Sequence, residues 1–327
     1  MFYSIRHVTR FQYSTPVSES VMEVRMRPRS ELLQQCLKFE LHVTPRARVQ
    51  FYRDYLGNTV HYFDVPGHHN RLALIAEAVV EVEEPEDIPE AVPMAAWETI
   101  DEMWASGELY EFQMPSHFAQ PSAELDKLVK ELGVDRRENP LTLLRRLNQK
   151  MYSAFEYAPK STRVDSPIDE ALVNRKGVCQ DFSHIMIAIV RGLKIPCRYV
   201  SGYVFPRPEE EKRATPLATH SWIEAWIPGI GPNQQGLWVG FDPTSNCVCG
   251  DRHIRAAIGR DYADVPPTKG VFKGRATSEL TVAVRVLPTN APADDREELV
   301  LVPSSNSGSS PVADHHWEEM QQQQQQQ

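Results

Sequence analysis

Cys179 follows Gly177-Val178 and opens an apolar run, Ile185 to Leu193, long enough to be a buried helix. A cysteine in the first helical turn sits beside unpaired backbone N–H groups and the positive end of the helix dipole, and both favour thiolate over thiol. A thiolate used for acyl transfer needs two partners. One is an imidazole that holds the ion pair and later protonates a leaving amine; the other is a group that fixes the imidazole tautomer. Thr219-His220-Ser221-Trp222-Ile223-Glu224-Ala225-Trp226 and Leu237-Trp238-Val239-Gly240-Phe241-Asp242-Pro243-Thr244 supply both. Period-2 alternation puts His220 on the strand face shared by Trp222, Glu224 and Trp226, while Asp242 ends the next strand. Paired as a hairpin, the two strands set His220 and Asp242 side by side near its open end. Singly, each residue has a structural reading: a small hydrophobe in a helix, a strand histidine in a core, a turn aspartate before Pro-Thr. Together, in the order Cys, His, Asp, they point to attack on a carboxamide or peptide carbonyl.

Other clusters are weaker. Cys247-Val248-Cys249 with Asp251 and His253 has ligand types that suit zinc. The Cys-x-Cys spacing is tighter than a structural zinc knuckle, however, and no second pair stands nearby. No metal and no cofactor is therefore expected. His184, five residues beyond Cys179, is rotated too far round the helix to be its partner, so a structural role is expected. Gly-rich phosphate loops, His-Glu-x-x-His and Gly-x-Ser-x-Gly are absent from the sequence.

The elements that must position these residues are legible in outline. Residues 1 to about 83 alternate apolar and polar, as in Met22, Val24, Met26 and Phe39, Leu41, Val43. With turn signals at Thr44-Pro45, Gly57-Asn58 and Pro66-Gly67, they predict an antiparallel β-sandwich of roughly six to eight strands. Arg25, Arg27, Arg29, Arg46 and Arg48 are read as solvated strand faces and ends. Residues 83–93 read as an acidic linker, and 94–120, with Trp97, Trp104 and Tyr110, as a segment wrapping a domain surface. Ser122 caps a helix through Leu132, Asn139-Pro140 starts a second, and Ser166-Pro167-Ile168-Asp169 starts a short third. Strands follow the cysteine helix at 197–204, 219–227, 237–242 and 279–287. The organisation is thus an α+β chain: an N-terminal β-sandwich domain (1–90), a wrapping segment (91–120), a catalytic domain (121–290) and a disordered tail (291–327) ending in seven glutamines.

The 327 residues carry a net charge of −9, which opposes nucleic acid or an anionic membrane as partner. No apolar run is long enough to span a bilayer. The first residues, Met1 to His7, have neither a basic region nor a continuous apolar one. Five scattered cysteines suit free thiols in a reducing compartment, so the expected location is cytoplasmic.

Gly177-Val178-Cys179-Gln180-Asp181-Phe182, Thr219-His220-Ser221-Trp222 and Phe241-Asp242-Pro243-Thr244 resemble the three blocks of the transglutaminase-like superfamily, in its bacterial branch with an N-terminal β domain. The resemblance extends through Tyr13 to Arg29, Asp54 to Asn58, Phe155-Glu156-Tyr157 and Asp264-Val265-Pro266-Pro267, covering roughly residues 1–288. It implies a papain-like core in which Cys179 is nucleophile, His220 general base and acid, and Asp242 the orienting residue. The Cys179 backbone N–H is the natural oxyanion donor; Tyr157 and Gln180 are candidates for a second, with Trp222 a further cleft candidate. The implied function is a cysteine peptidase or amidase acting on a peptide or protein with an amide group, through an acyl-thioester. Hydrolysis is preferred because the extra domains and acidic calcium loop of the calcium-regulated cross-linkers are not seen. Protein-glutamine acyl transfer and a non-catalytic peptide-binding scaffold are the alternatives, and the oligomeric state is not read from sequence.

Overall fold

The computed structural model describes residues 1–31, 33–85, 87–205, 219–289 and 302–303. Alternation in the first strand does not stop at Pro16. Inward positions switch from odd-numbered (Tyr3, Ile5, Phe11, Tyr13) to even-numbered (Met22, Val24) around Val17. Two register shifts there absorb the switch, so one long strand forms, β1 (Phe2–Val24). Its partner β4 (Thr59–Val82) likewise runs straight through Pro66-Gly67, where Gly67 takes a φ of +92°. Residues expected to make turns make irregularities inside strands instead. With β2 (Gln34–Thr44) and β3 (Gln50–Arg53), residues 1–82 contribute four strands rather than six to eight.

β12 (Thr268–Lys273) and β13 (Ser278–Thr289) complete this sheet by pairing antiparallel with the second and first halves of β1. They belong by hydrogen bonding to the N-terminal sheet, although the sequence groups them with the later domain. The sheet curls over a core of Tyr3, Phe11, Tyr13, Phe63, Leu72 and Leu280, among others, joined by Tyr203, Ile254 and Ala256 of the second sheet. Of the expected tail, Val302–Pro303 pair with β13 as a short strand, and the rest, including the glutamine run, lies outside the described residues.

α1 (Ala96–Ser106) replaces the irregular wrapping segment expected there. Its N-terminal residue Ala95 offers no side-chain cap, which hid the helix, yet Trp97, Ile100 and Met103 form a buried face. Arg136 stacks on Trp97 at 4.3 Å, and the indole N–H donates to the Glu138 carbonyl at 2.7 Å. α2 (Ala123–Leu132) and α3 (Pro140–Ala154) start where expected: Ser122 Oγ accepts from the Leu125 N–H and Asn139 Oδ1 from the Thr142 N–H. α4 (Ile168–Asn174) forms without its expected cap, because Ser166 Oγ accepts from the Arg163 N–H instead. α5 (Cys179–Gly192) is the central helix, with Phe182, Ile185, Met186, Ile187 and Val190 all buried.

α5 packs on a second antiparallel sheet of β7 (Cys197–Val204), β8 (His220–Ile227), β9 (Leu237–Asp242), β10 (Cys247–Val248) and β11 (His253–Gly259), in the order β10-β9-β8-β7-β11. The 54–58 loop of the first domain is bolted to this sheet. Asn58 exchanges two 2.8 Å hydrogen bonds with the Ile258 backbone, while Arg29 donates to the Leu56 carbonyl and to Asn58 Oδ1. Arg29 and the buried Arg25 are therefore not the solvated residues expected.

Candidate active site

β5 (Glu156–Tyr157) and β6 (Lys176–Gly177) pair in parallel and aim the chain into α5, so that Cys179 becomes its first residue. Asp181 fixes this entry: its Oδ2 accepts from the Val178 N–H at 2.8 Å and from Thr162 Oγ1 at 2.6 Å. Burial raises the Asp181 pKa to about 6 against these bonds. Gly177 makes the geometry possible, since a Cβ there would lie 2.9 Å from Asp181 Oδ2. Gly177→Ala is expected to destabilise the fold by about 1–3 kcal/mol through overpacking. It should also shift the pH profile of Cys179 alkylation; urea unfolding and a pH series of alkylation rates check both. An unshifted profile would separate this entry from the thiol's chemistry.

His220 leads β8 and Asp242 ends β9, which pairs antiparallel with β8. His220 Nε2 lies 2.9 Å from Asp242 Oδ2, and the Asp242 side chain is fully buried. Asp242 Oδ1 accepts from the Thr244 N–H at 2.9 Å and the Ser245 N–H at 3.3 Å, which fixes the carboxylate in the turn after β9. The other imidazole nitrogen, Nδ1, is left for Cys179, whose thiol hydrogen-bonds His220. Burial opposes every charge here, but the partners outweigh it. Asp242, and to a lesser degree Cys179, bring the His220 pKa up to about 10. His220, then His253, hold Asp242 well below the carboxylate range. His220 and then Ser221 bring the Cys179 thiol below its ordinary value, and the residue is half-buried. The arrangement favours a thiolate–imidazolium pair with a buried counterion.

Of the expected site residues, the structure brings Cys179, His220 and Asp242 together. Tyr157 pairs with Gly177, two residues before Cys179, and is half-buried. Gln180 is buried and its Nε2 donates to the Val164 carbonyl at 2.8 Å, which ties that end of the amide to the 158–166 segment. Trp222 is also not at a cleft surface. It is fully buried behind the imidazole, 6.2 Å from the His220 ring and near parallel to it, and packs with Val200 and Ile258 against Leu56. There it lies beside the His220 ring. His184 is structural: it stacks on Phe118 and accepts from the Tyr262 N–H, and burial lowers its pKa to about 4.

Sequence reasoning missed two residues. Ser221 reaches Cys179 with both hydroxyl and backbone, and its only signal is adjacency to His220. His253 Nε2 stands 3.5 Å from Asp242 Oδ2; the sequence offered it only as part of a metal cluster.

Residues 3–81 match the bacterial transglutaminase-like N-terminal region, and residues 127–243 match the transglutaminase-like superfamily. An uncharacterized protein of Mycobacterium leprae is 30% identical over 281 residues, 86% of this chain and 96% of that one. A protein-glutamine gamma-glutamyltransferase of Pseudomonas aeruginosa is 26% identical over 135 residues, 40% of this chain and 19% of that one. A solved structure from Cytophaga hutchinsonii, described as a candidate cysteine protease, has a TM-score of 0.67 at 24% identity, covering 89% of this chain and 92% of that one. The chain belongs to the bacterial transglutaminase-like superfamily.

Proposed function

From that membership, we propose that the protein is a cysteine-dependent hydrolase of amide bonds, a peptidase or amidase. The observation that carries this reading is the unbroken chain of hydrogen bonds from Cys179 through His220 to the fully buried Asp242. The Cys179 thiolate attacks the carbonyl carbon, and the oxyanion forms beside the Cys179 N–H at the start of α5. Tyr157, placed beside Gly177, is the candidate second donor. His220 passes its Nδ1 proton to the departing amine, the C–N bond breaks, and an acyl-thioester remains. Water then attacks, neutral His220 takes its proton, the C–S bond breaks, and the thiolate–imidazolium pair is restored. Asp242 keeps the imidazole in one tautomer throughout.

Water needs only the opening that leaves Cys179 partly exposed, which supports hydrolysis. Amine transfer is the second reading, favoured by the name of the Pseudomonas relative. The substrate class proposed is a peptide or protein bearing an amide, and the proposed compartment is the reducing cytoplasm, in keeping with five free thiols. Among the described residues no helix is long and apolar enough to cross a membrane.

The test is incubation with casein and a set of glutamine-containing peptides in ¹⁸O-water, with excess primary amine, followed by mass spectrometry. Hydrolysis predicts new carboxylates carrying one ¹⁸O and no amine adduct, all lost in Cys179→Ala. Amine adducts dependent on Cys179 would replace hydrolase by transferase. A wild type that forms no product and no acyl-enzyme with any amide or ester probe would sink both.

A further inference from the structure

Cys247 and His253 have no step in this chemistry, yet the fold delivers both to Asp242. Cys247 pairs directly opposite Asp242 across β9 and β10, and His253 opens β11 on the far side of the same sheet. The Cys247 sulfur, a His253 ring nitrogen and a carboxylate oxygen of Asp242 all lie within 4.8 Å of one another. Cys249 is not part of the group, because its side chain packs on Gly240. The Cys-x-Cys motif is thus no chelate, and only one of its two thiols points to a site.

A second observation marks the same place. His253 is 4% exposed, and its Nε2 faces the Asp242 carboxylate in a loose pair rather than a tight hydrogen bond. That pair spans 3.5 Å, longer than a normal N–H···O hydrogen bond. Trp222 holds the ring edge-on at 5.2 Å. A buried imidazole nitrogen facing a carboxylate and a thiol offers the donor types of a zinc site.

We propose that Cys247, His253 and Asp242 form an inhibitory site for one divalent cation of borderline softness, zinc above all. Thiolate, imidazole and carboxylate are three of the four ligands of a tetrahedral zinc site, and solvent supplies the fourth. Metal–ligand bonds of about 2.0–2.3 Å put the donor atoms of such a site about 3.3–3.8 Å apart. The three donor atoms, within 4.8 Å of one another, must draw closer to hold the ion. On binding, the Cys247 thiol proton leaves to solvent. The His253 proton sits on Nδ1, giving up a long 3.4 Å contact from the Gly250 N–H. The consequence follows from Asp242 being shared. A carboxylate drawn onto the metal no longer holds His220, so the imidazolium loses its counterion and the Cys179 thiolate its partner.

The test uses the full chain titrated with cobalt(II), which reports thiolate ligation through its sulfur-to-metal charge-transfer absorption, and with zinc by equilibrium dialysis. One equivalent is expected, with the charge-transfer band retained in Cys179→Ala and lost in Cys247→Ser. Zinc affinity should fall roughly 100-fold or more in Cys247→Ser and at least about tenfold in His253→Gln, with near-ultraviolet circular dichroism confirming that each variant is folded. This arm does not depend on any amide chemistry. In a second arm, zinc should suppress Cys179 alkylation at pH 6 in the wild type, reversibly with chelator, and not in Cys247→Ser. A band that vanishes in Cys179→Ala but survives Cys247→Ser would put the metal on the nucleophile and overturn the proposal. So would a wild type that retains neither metal.

Discussion

His220→Ala is expected to move Cys179 alkylation by iodoacetamide from fast at about pH 5–6 to slow until above about pH 8.5, the ordinary thiol range. The sign follows from the charges at the sulfur. Burial alone pushes the thiol up, and His220 is the largest influence bringing it down. Without the imidazole, burial is opposed by Ser221 and the helix N-terminus, with the largest opposing influence gone. Turnover should fall by about 10²–10⁴-fold, the usual contribution of a positioned proton-transfer group. In the wild type the alkaline limb of activity should follow loss of the His220 proton near 10, where the leaving amine loses its donor. The same raised pKa makes the ion pair's support of the fold complete below the ordinary histidine value and lost as pH rises through about 10. An unchanged alkylation profile in His220→Ala would mean that the helix N-terminus alone sets the thiol's state, and the proposed mechanism would fail.

Glu224→Gln should destabilise the protein by about 3–5 kcal/mol at pH 7, the effect of stranding buried charges. Glu224 lies on the His220 face of β8, fully buried between Arg198, whose Nη2 is 2.6 Å away, and Arg255. Arg198 also stacks on Trp238 at 4.3 Å, so its guanidinium cannot swing out to solvent freely. Burial would raise the Glu224 pKa, but the two arginines bring it down to about 2. A depressed carboxylate contributes stability above its unfolded value of 4.5 and loses it as pH falls toward 2. The difference between wild type and Glu224→Gln in urea midpoint should therefore be full at pH 7 and shrink between pH 4.5 and 2. A difference that is absent at pH 7, or constant with pH, would contradict this account. Arg255 also exchanges hydrogen bonds with Gln34 through its backbone, so the loss should spread to the junction with the first sheet.

Features governed by local rules are legible along the chain. A cysteine after a glycine at the head of an apolar run, a histidine in an alternating strand and an aspartate before Pro-Thr each announce an element and a position in it. Capping residues Ser122 and Asn139 placed two helices to the residue, because an N-cap is a contact three residues long. α1 escaped because it lacks such a cap, not because it lacks an apolar face.

Features that depend on register and distance emerge only once the strands pair. Pro16 and Pro66-Gly67 have the chemistry of turns, and whether they reverse the chain or bulge a strand depends on what the neighbouring strands pair with. β12 and β13 pair with a strand more than 240 residues earlier, a separation over which periodicity carries no information. Trp222 and His220 share a face, but packing by Leu56 from the first domain buries one behind the other. Cys247 and His253 reach Asp242 because strand pairing, and not spacing along the chain, decides which side chains meet. Side-chain types set what chemistry is possible here, and cross-strand registry selects which of those side chains share a site.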